Sequence, residues 1–192
     1  ENNCEDKPNI FTNISTINNG YIDSINFDFG DGTNLGSSHI ENHYYIDAGI
    51  YDVSLTVISD KGCKHSIVKS TEVYEKPIVN FYTKQNCIGD NTWFFDTTYL
   101  SHDIIINWEW NLGDRNGTSN YKNMSYIYNK PGIYPVSLTV TSDKGCKALK
   151  NKDITIYNLP EIILVIEDSA VCLGEEIIIK DQSNSLGGDI TN

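Results

Sequence analysis

The sequence is poor in several things at once. It has one arginine, one methionine and three alanines in 192 residues. No apolar run approaches the roughly 20 residues needed to span a bilayer as a helix; the longest, Ile162 to Ile166, is the length of a strand. Basic residues are outnumbered 14 to 26, for a formal net charge of −12. That imbalance argues against nucleic acid and anionic membrane surfaces as partners, because both repel it. There is no basic or apolar leader ahead of Glu1-Asn2-Asn3-Cys4 and no methionine at position 1, so the chain is expected to be a piece of something longer. Helix formers are also scarce. Ile and Asn are abundant; Asn, Thr, Gly and the β-branched residues disfavour helices, and the β-branched ones suit pleated surfaces. No window carries a convincing 3.6-residue apolar period, which makes the class all-β.

What the chain has instead is repetition. Gly49 to Lys64 and Gly132 to Lys147 differ only at Asp52/Pro135 and Ile58/Thr141, at a constant offset of 83. The same offset relates Cys4 to Cys87, Phe11 to Phe94, Gly30 to Gly113, Tyr74 to Tyr157 and Pro77 to Pro160. Cys172-Leu173-Gly174 then answers Cys87-Ile88-Gly89 after a two-residue lengthening. The expected organisation is a first repeat over 1–75 lacking its first strand, a complete repeat over 76–158, and the first strands of a third over 159–192. The chain thus reads as an out-of-phase excerpt of a longer tandem array. With its first strand missing, the 1–75 segment is expected to fold poorly alone; the strand would be supplied by residues ahead of Glu1, with supply by another chain as the less favoured alternative.

In the complete copy, strands are predicted over Ile78–Thr83, Thr92–Thr98, Ile105–Leu112, Ser125–Tyr128, Ile133–Thr141 and Cys146–Tyr157. Asp143-Lys144-Gly145 is predicted as a tight hairpin turn. About seven short strands with turns every 8–12 residues describe an antiparallel sandwich of immunoglobulin-like type.

Trp110-Asn111-Leu112-Gly113-Asp114 and Phe27-Asp28-Phe29-Gly30-Asp31-Gly32 resemble the Trp-Asp-Phe-Gly-Asp-Gly signature of PKD (polycystic kidney disease) repeats. Downstream, Tyr45, Gly49, Tyr51, Val53, Leu55 and Val57, repeated from Tyr128 to Val140, resemble the second half of that pattern. Each copy departs from it once: Phe27 replaces the Trp, and Arg115 replaces the second Gly. The resemblance covers essentially the whole chain and implies tandem PKD-type sandwiches. The paired cysteines and the Asp-Lys-Gly-Cys turn resemble PKD repeats of very long Bacteroidota surface proteins, similar to gliding-motility adhesins exported by the type IX system.

Several motifs invite chemistry and have plainer readings. Asp28 and Asp31 beside Gly30 and Gly32 suggest a Ca²⁺ loop. The preferred reading has them bonding turn amides, and no cofactor is expected. His39, His43, His65 and His102 share no metal spacing between copies and are read as solvated loop residues. No histidine recurs beside a recurring Ser, Cys or acid, so no enzyme is expected. Trp108 and Trp110 alternate onto one face of a strand, where core is the preferred reading over a sugar platform. Asn13, Asn116 and Asn123 open N-glycosylation sequons. Asp23-Ser24-Ile25, Asp96-Thr97-Thr98 and Asp168-Ser169-Ala170 resemble O-glycosylation sites of the same phylum, placing candidate glycans on Ser24, Thr97 and Ser169.

Tandem sandwiches build a quasi-one-dimensional array. The expected role is a non-enzymatic stalk or adhesin segment of an extracellular, cell-surface filament. Its partners would be neighbouring repeats, with surface polysaccharide or secretion components beyond them. The alternative is an accessory module of a secreted enzyme degrading polysaccharide or protein. Five cysteines in such an array imply disulfides. Pairing within a copy gives Cys4–Cys63 and Cys87–Cys146. Topology argues against it, because one strand of about eight residues separates the two ends by roughly 25 Å, against the 7 Å or so a disulfide tolerates. In a head-to-tail array, Cys4 of one copy instead faces Cys146 of the next. The preferred pair is therefore Cys4–Cys146, leaving Cys63, Cys87 and Cys172 for further copies.

Overall fold

The computed structural model describes residues 3–36, 38–166, 170, 172–173 and 177–183, and among them the regular structure is all strand. The first repeat contributes β1 (Pro8–Thr12), β2 (Ile22–Asp28), β3 (Asn34–Gly36), β4 (Ile40–Tyr44), β5 (Gly49–Ser59) and β6 (Lys64–Val73). The second contributes β7 (Phe81–Lys84), β8 (Asn91–Asp96), β9 (Ile105–Asn111), β10 (Thr118–Ser119), β11 (Asn123–Ile127), β12 (Gly132–Ser142) and β13 (Lys147–Ile156). β14 (Leu164–Ile166) and β15 (Ile179–Asp181) follow as an antiparallel pair.

Both repeats lay out the same two sheets. In the first, β3-β2-β5-β6 faces a sheet of β1 and β4. In the second, β10-β9-β12-β13 faces β11-β8-β7. The ladders β1–β4, β10–β9, β11–β8, β2–β3, β2–β5, β5–β6 and β7–β8 are all antiparallel. The difference lies in one strand. β8 has β11 on one side and β7 on the other, whereas among the described residues its counterpart β1 pairs with β4 alone. The strand predicted from Ile78 begins at Phe81, yet pairing continues upstream in the same register. Thr97 N donates to Asn80 O, and Ile78 and Tyr99 exchange both backbone bonds.

The alternation that marks a half-buried strand is plainest in β12. Val136, Leu138 and Val140 are fully buried, with Ser137 and Thr139 partly exposed between them. The hairpin that ends it turns at Gly145 (φ 80°), where Ser142 N donates to Cys146 O. Gly113 (φ 79°) sits where an added Cβ would lie 2.8 Å from Pro135 N and O, so only glycine fits there without strain.

The chain divides into two compact units. The first comprises 1–79, 98–107 and 139–148; the second comprises 80–97, 108–138 and 149–192. The first unit's core gathers Ile25, Phe27, Phe29, Tyr45, Val53 and Val73, with Phe11, Leu55 and Val57 partly buried against it. In the second unit Phe81, Phe94, Trp110, Leu112, Tyr128, Val136 and Leu138 are buried. Trp110 lies with its ring 5.0 Å from Phe81 and 5.6 Å from Phe94. Side chains of this size stabilise by about 1.5–3 kcal/mol each when taken from water.

Candidate functional site

Three features recur or contrast between the copies: the acidic turn after β2 and β9, the cysteines, and the apolar surface beside β1.

The acidic turn is held by its own carboxylates. Asp28 Oδ1 accepts the Gly30 amide at 3.0 Å, and Asp31 Oδ1 accepts from Thr33 N and Oγ1. Asp31 Oδ2 lies 2.6 Å from His43 Nε2. Burial pushes the Asp31 carboxyl up, but the bonds from Thr33 and His43 outweigh it and hold the pKa below its ordinary value. His43 is buried in β4, stacked on Phe29 at 4.1 Å and edge-on to Tyr45. It therefore corrects the expectation that all four histidines are solvated: β4 alternation aims residues 43 and 45 inward together. His39, His65 and His102 are exposed. In the second repeat, Tyr126 occupies the place of His43, and its hydroxyl bonds the Asp114 carboxylate. There burial again raises the Asp114 pKa, and the Tyr126 hydroxyl with the Gly117 and Asn116 amides reverses the shift. Two residues on from each, Tyr45 OH donates to Phe29 O and Tyr128 OH to Leu112 O, both at 2.9 Å and both buried.

The cysteine geometry lies within the first unit. Cys4 and Cys146 are disulfide-bonded, with Cα atoms 5.7 Å apart, and both are buried. Backbone bonds place each partner. Tyr74 N donates to Asn3 O and Glu5 N to Tyr74 O, fixing Cys4 beside the end of the first repeat. Cys146 N donates to Ser142 Oγ at 3.1 Å. Around the bond, the Lys144 ammonium lies 5.5 Å from the centre of the Tyr74 ring, and Lys76 N donates to Glu5 Oε1. Glu75 accepts from Ser101, which is the main reason its carboxyl titrates low. The within-copy pairs Cys4–Cys63 and Cys87–Cys146 are not formed; Cys63 carries an exposed thiol and Cys87 a half-buried one.

Beside β1 an apolar groove of about 480 Å³ opens in the first unit. Phe11, Phe27, Val53, Leu55 and Lys69 are among its walls. The matching position in the second repeat is filled by β7. Residue spacing alone did not single out this groove, but the 83-residue offset maps its walls directly.

The remaining expectations scatter. Trp110 is buried and donates to Tyr121 O; Trp108 is half-buried and donates to Asp96 Oδ2. Ser24 on β2 and Thr97 after β8 are exposed, and Ser169 lies outside the described residues. Asn13 is buried, its side-chain oxygen accepting the Ser15 amide. Among the described residues, no three His, Cys, Asp or Glu side chains are grouped to hold a metal. No helix among them is long and apolar enough to cross a membrane.

Comparison with known proteins follows this geometry. Solved structures with similar folds include the PKD1 domain of Vibrio anguillarum Epp, at 25% identity over 43% of this chain and 95% of that one, TM-score 0.41. The PKD1 domain from Vibrio cholerae metalloprotease PrtV is 28% identical over 42% of this chain and 96% of its own, TM-score 0.39. The fibronectin(III)-like modules of Clostridium thermocellum CbhA are 12% identical, covering 75% of this chain and 83% of theirs, TM-score 0.39. The family profile of the PKD domain matches residues 2–74 and again 74–156. With two consecutive matches spanning well over half its length, the chain belongs to the PKD domain family.

Proposed function

We propose that the chain is a non-enzymatic structural segment, a stalk or adhesin portion of a long repetitive filament on the outer cell surface. In this reading it serves gliding motility or surface attachment in a Bacteroidota cell, reaches the surface through type IX secretion, and needs no cofactor. Its partners are neighbouring repeats of the same chain, with surface polysaccharide beyond them. The observation that carries the reading is the Cys4–Cys146 bond, which ties the first PKD repeat to the second. Disulfides persist outside the reducing cytosol. A covalent tie between repeats is also what a tethering element under tension requires, whereas a flexible spacer gains nothing from it.

The test is made on cells of the source organism. An antibody raised against this chain labels intact cells, protease treatment of those cells removes the label, and deletion of the coding segment abolishes gliding or attachment. Label found only after lysis sinks the surface reading. Loss of hydrolase activity on deletion, with movement and attachment unchanged, replaces the stalk by an enzyme's accessory module.

A further inference from the structure

We propose that Asn19 is a site of spontaneous deamidation whose conversion loosens the loop between β1 and β2, and that the fold shields Asn116 from the same reaction. The co-reactant is water. The modification needs no enzyme and is independent of the role proposed for the array.

The chemistry sets two structural conditions. Asparagine deamidates when the backbone nitrogen of the next residue reaches its side-chain carbonyl carbon. That nitrogen gives up its proton and bonds Cγ, the side-chain nitrogen leaves as ammonia, and a five-membered succinimide remains. Water then adds to one of the two ring carbonyls and opens the ring. The product is aspartate, or isoaspartate, in which the main chain runs through the side-chain carbon. The attacking nitrogen must therefore hold no other hydrogen-bond partner, and the backbone around it must be able to turn. A following glycine allows that turn most freely. The sequence holds two such pairs, Asn19-Gly20 and Asn116-Gly117.

Asn19-Gly20 meets both conditions. Asn18, Asn19 and Gly20 are exposed, outside any strand. Gly20 sits at φ 94°, a backbone state reserved largely for glycine. Among the described residues, neither Gly20 N nor the Asn19 side chain makes a hydrogen bond to the protein. The chain is gripped just beyond this bond. Tyr21 N donates to Asp60 Oδ1 at 3.4 Å, and Asp60 N donates to Tyr21 O at 3.0 Å.

Asn116-Gly117 fails both. Gly117 N donates to Asp114 Oδ1 at 2.7 Å, and Asn116 N donates to the same oxygen at 3.1 Å. Leu112 N donates to Gly117 O at 2.9 Å. Gly117 is buried, and a Cβ built on it would lie 2.9 Å from both Leu112 and Tyr126. Its nitrogen is bonded and its backbone is wedged, so the turn must open before the reaction begins.

The second repeat keeps the grip and lacks the reactive pair. Ile104 N donates to Asp143 Oδ1 and Asp143 N to Ile104 O, as Tyr21 and Asp60 do. The residues ahead of Ile104 are His102 and Asp103, in the places of Asn19 and Gly20. In the first repeat the consequence follows from crowding. A Cβ on Gly20 would lie 2.3 Å from Asp60 Oδ1, so there is no slack beside that carboxylate. Isoaspartate inserts one more carbon into the main chain at this point and shifts Gly20 and Tyr21 against Asp60. Either product also leaves a new carboxylate next to the grip, where it repels Asp60. The formal net charge moves from −12 by one further unit.

The experiment keeps the whole folded chain in mildly alkaline buffer at physiological temperature and follows both sites by peptide mapping that separates aspartate from isoaspartate. Asn19 is expected to convert to both products about tenfold faster than Asn116, or more. In urea the two rates converge, because the turn that shields Asn116 is gone. Asp114→Ala raises the rate at Asn116 and leaves Asn19 as it was. The converted chain, separated by anion exchange, exchanges its Asp60 amide hydrogen about tenfold faster than the parent; Asn19→Gln, kept under the same conditions, does not change. Equal rates at the two sites in the folded chain overturn the proposal, as does an Asn19 still intact when Asn116 has converted. Unaltered Asp60 exchange in the isoaspartyl chain overturns it as well.

Discussion

Tyr45 and Tyr128 each close the same loop with one hydroxyl, donating to a carbonyl sixteen residues back and out of reach of water. Burial raises both hydroxyl pKa values above their ordinary range, so both groups are protonated donors at neutral pH. Tyr45→Phe and Tyr128→Phe each remove a donor and leave a buried carbonyl unsatisfied. Each is expected to cost about 1–3 kcal/mol in chemical denaturation; equal stability of mutant and parent would show that the loops are held otherwise. Asp31 works differently. Its folded pKa is depressed, so its contribution is present above the unfolded value and disappears as pH falls through the folded one. The parent chain is therefore expected to lose stability below about pH 4, and Asp31→Asn to flatten that part of the stability–pH profile. A mutant profile parallel to the parent's in that range would exclude the turn carboxylate as the source. His43, partner to Asp31, could have been placed from the sequence by reading across to Tyr126, since both sit two residues before the loop-closing tyrosine.

Strand positions and the antiparallel all-β class were legible at the element scale because alternation and turn chemistry agree with the repeat. Gly62 and Gly145 both adopt positive φ in matching hairpins, and β5 and β12 span equivalent residues. What spacing could not supply was burial within a strand. Ile78–Thr83 reads simply as a strand, while the structure buries Phe81 against Trp110. Phe81→Ala is expected to destabilise the second repeat by about 3–5 kcal/mol. It should also open there a groove like the one beside β1, detectable as binding of an environment-sensitive apolar dye. A loss under about 1 kcal/mol would mean the strand is held by its backbone bonds and not by this side chain.

At the scale of the whole molecule, the two repeats share one plan, and the disulfide crosses from one to the other. Reduction is expected to lower the stability of the chain by about 2–5 kcal/mol, since the bond constrains a very long loop in the unfolded state. Melting with and without a thiol reductant measures it. Unchanged melting would show that the junction is held by its noncovalent contacts alone.

The Cys4–Cys146 bond also makes a ring. Its two ends are 142 residues apart in sequence, so tension applied at the chain's ends passes through two sulfur atoms and bypasses nearly all of both repeats. Pulled while oxidised, the molecule can lengthen only by what lies outside the ring. Once reduced, it releases a hidden contour length of about 480 Å, taking about 3.4 Å for each extended residue. In single-molecule stretching the oxidised chain should therefore extend only through the residues outside the ring, and the same chain in reductant should yield that stored slack as additional steps.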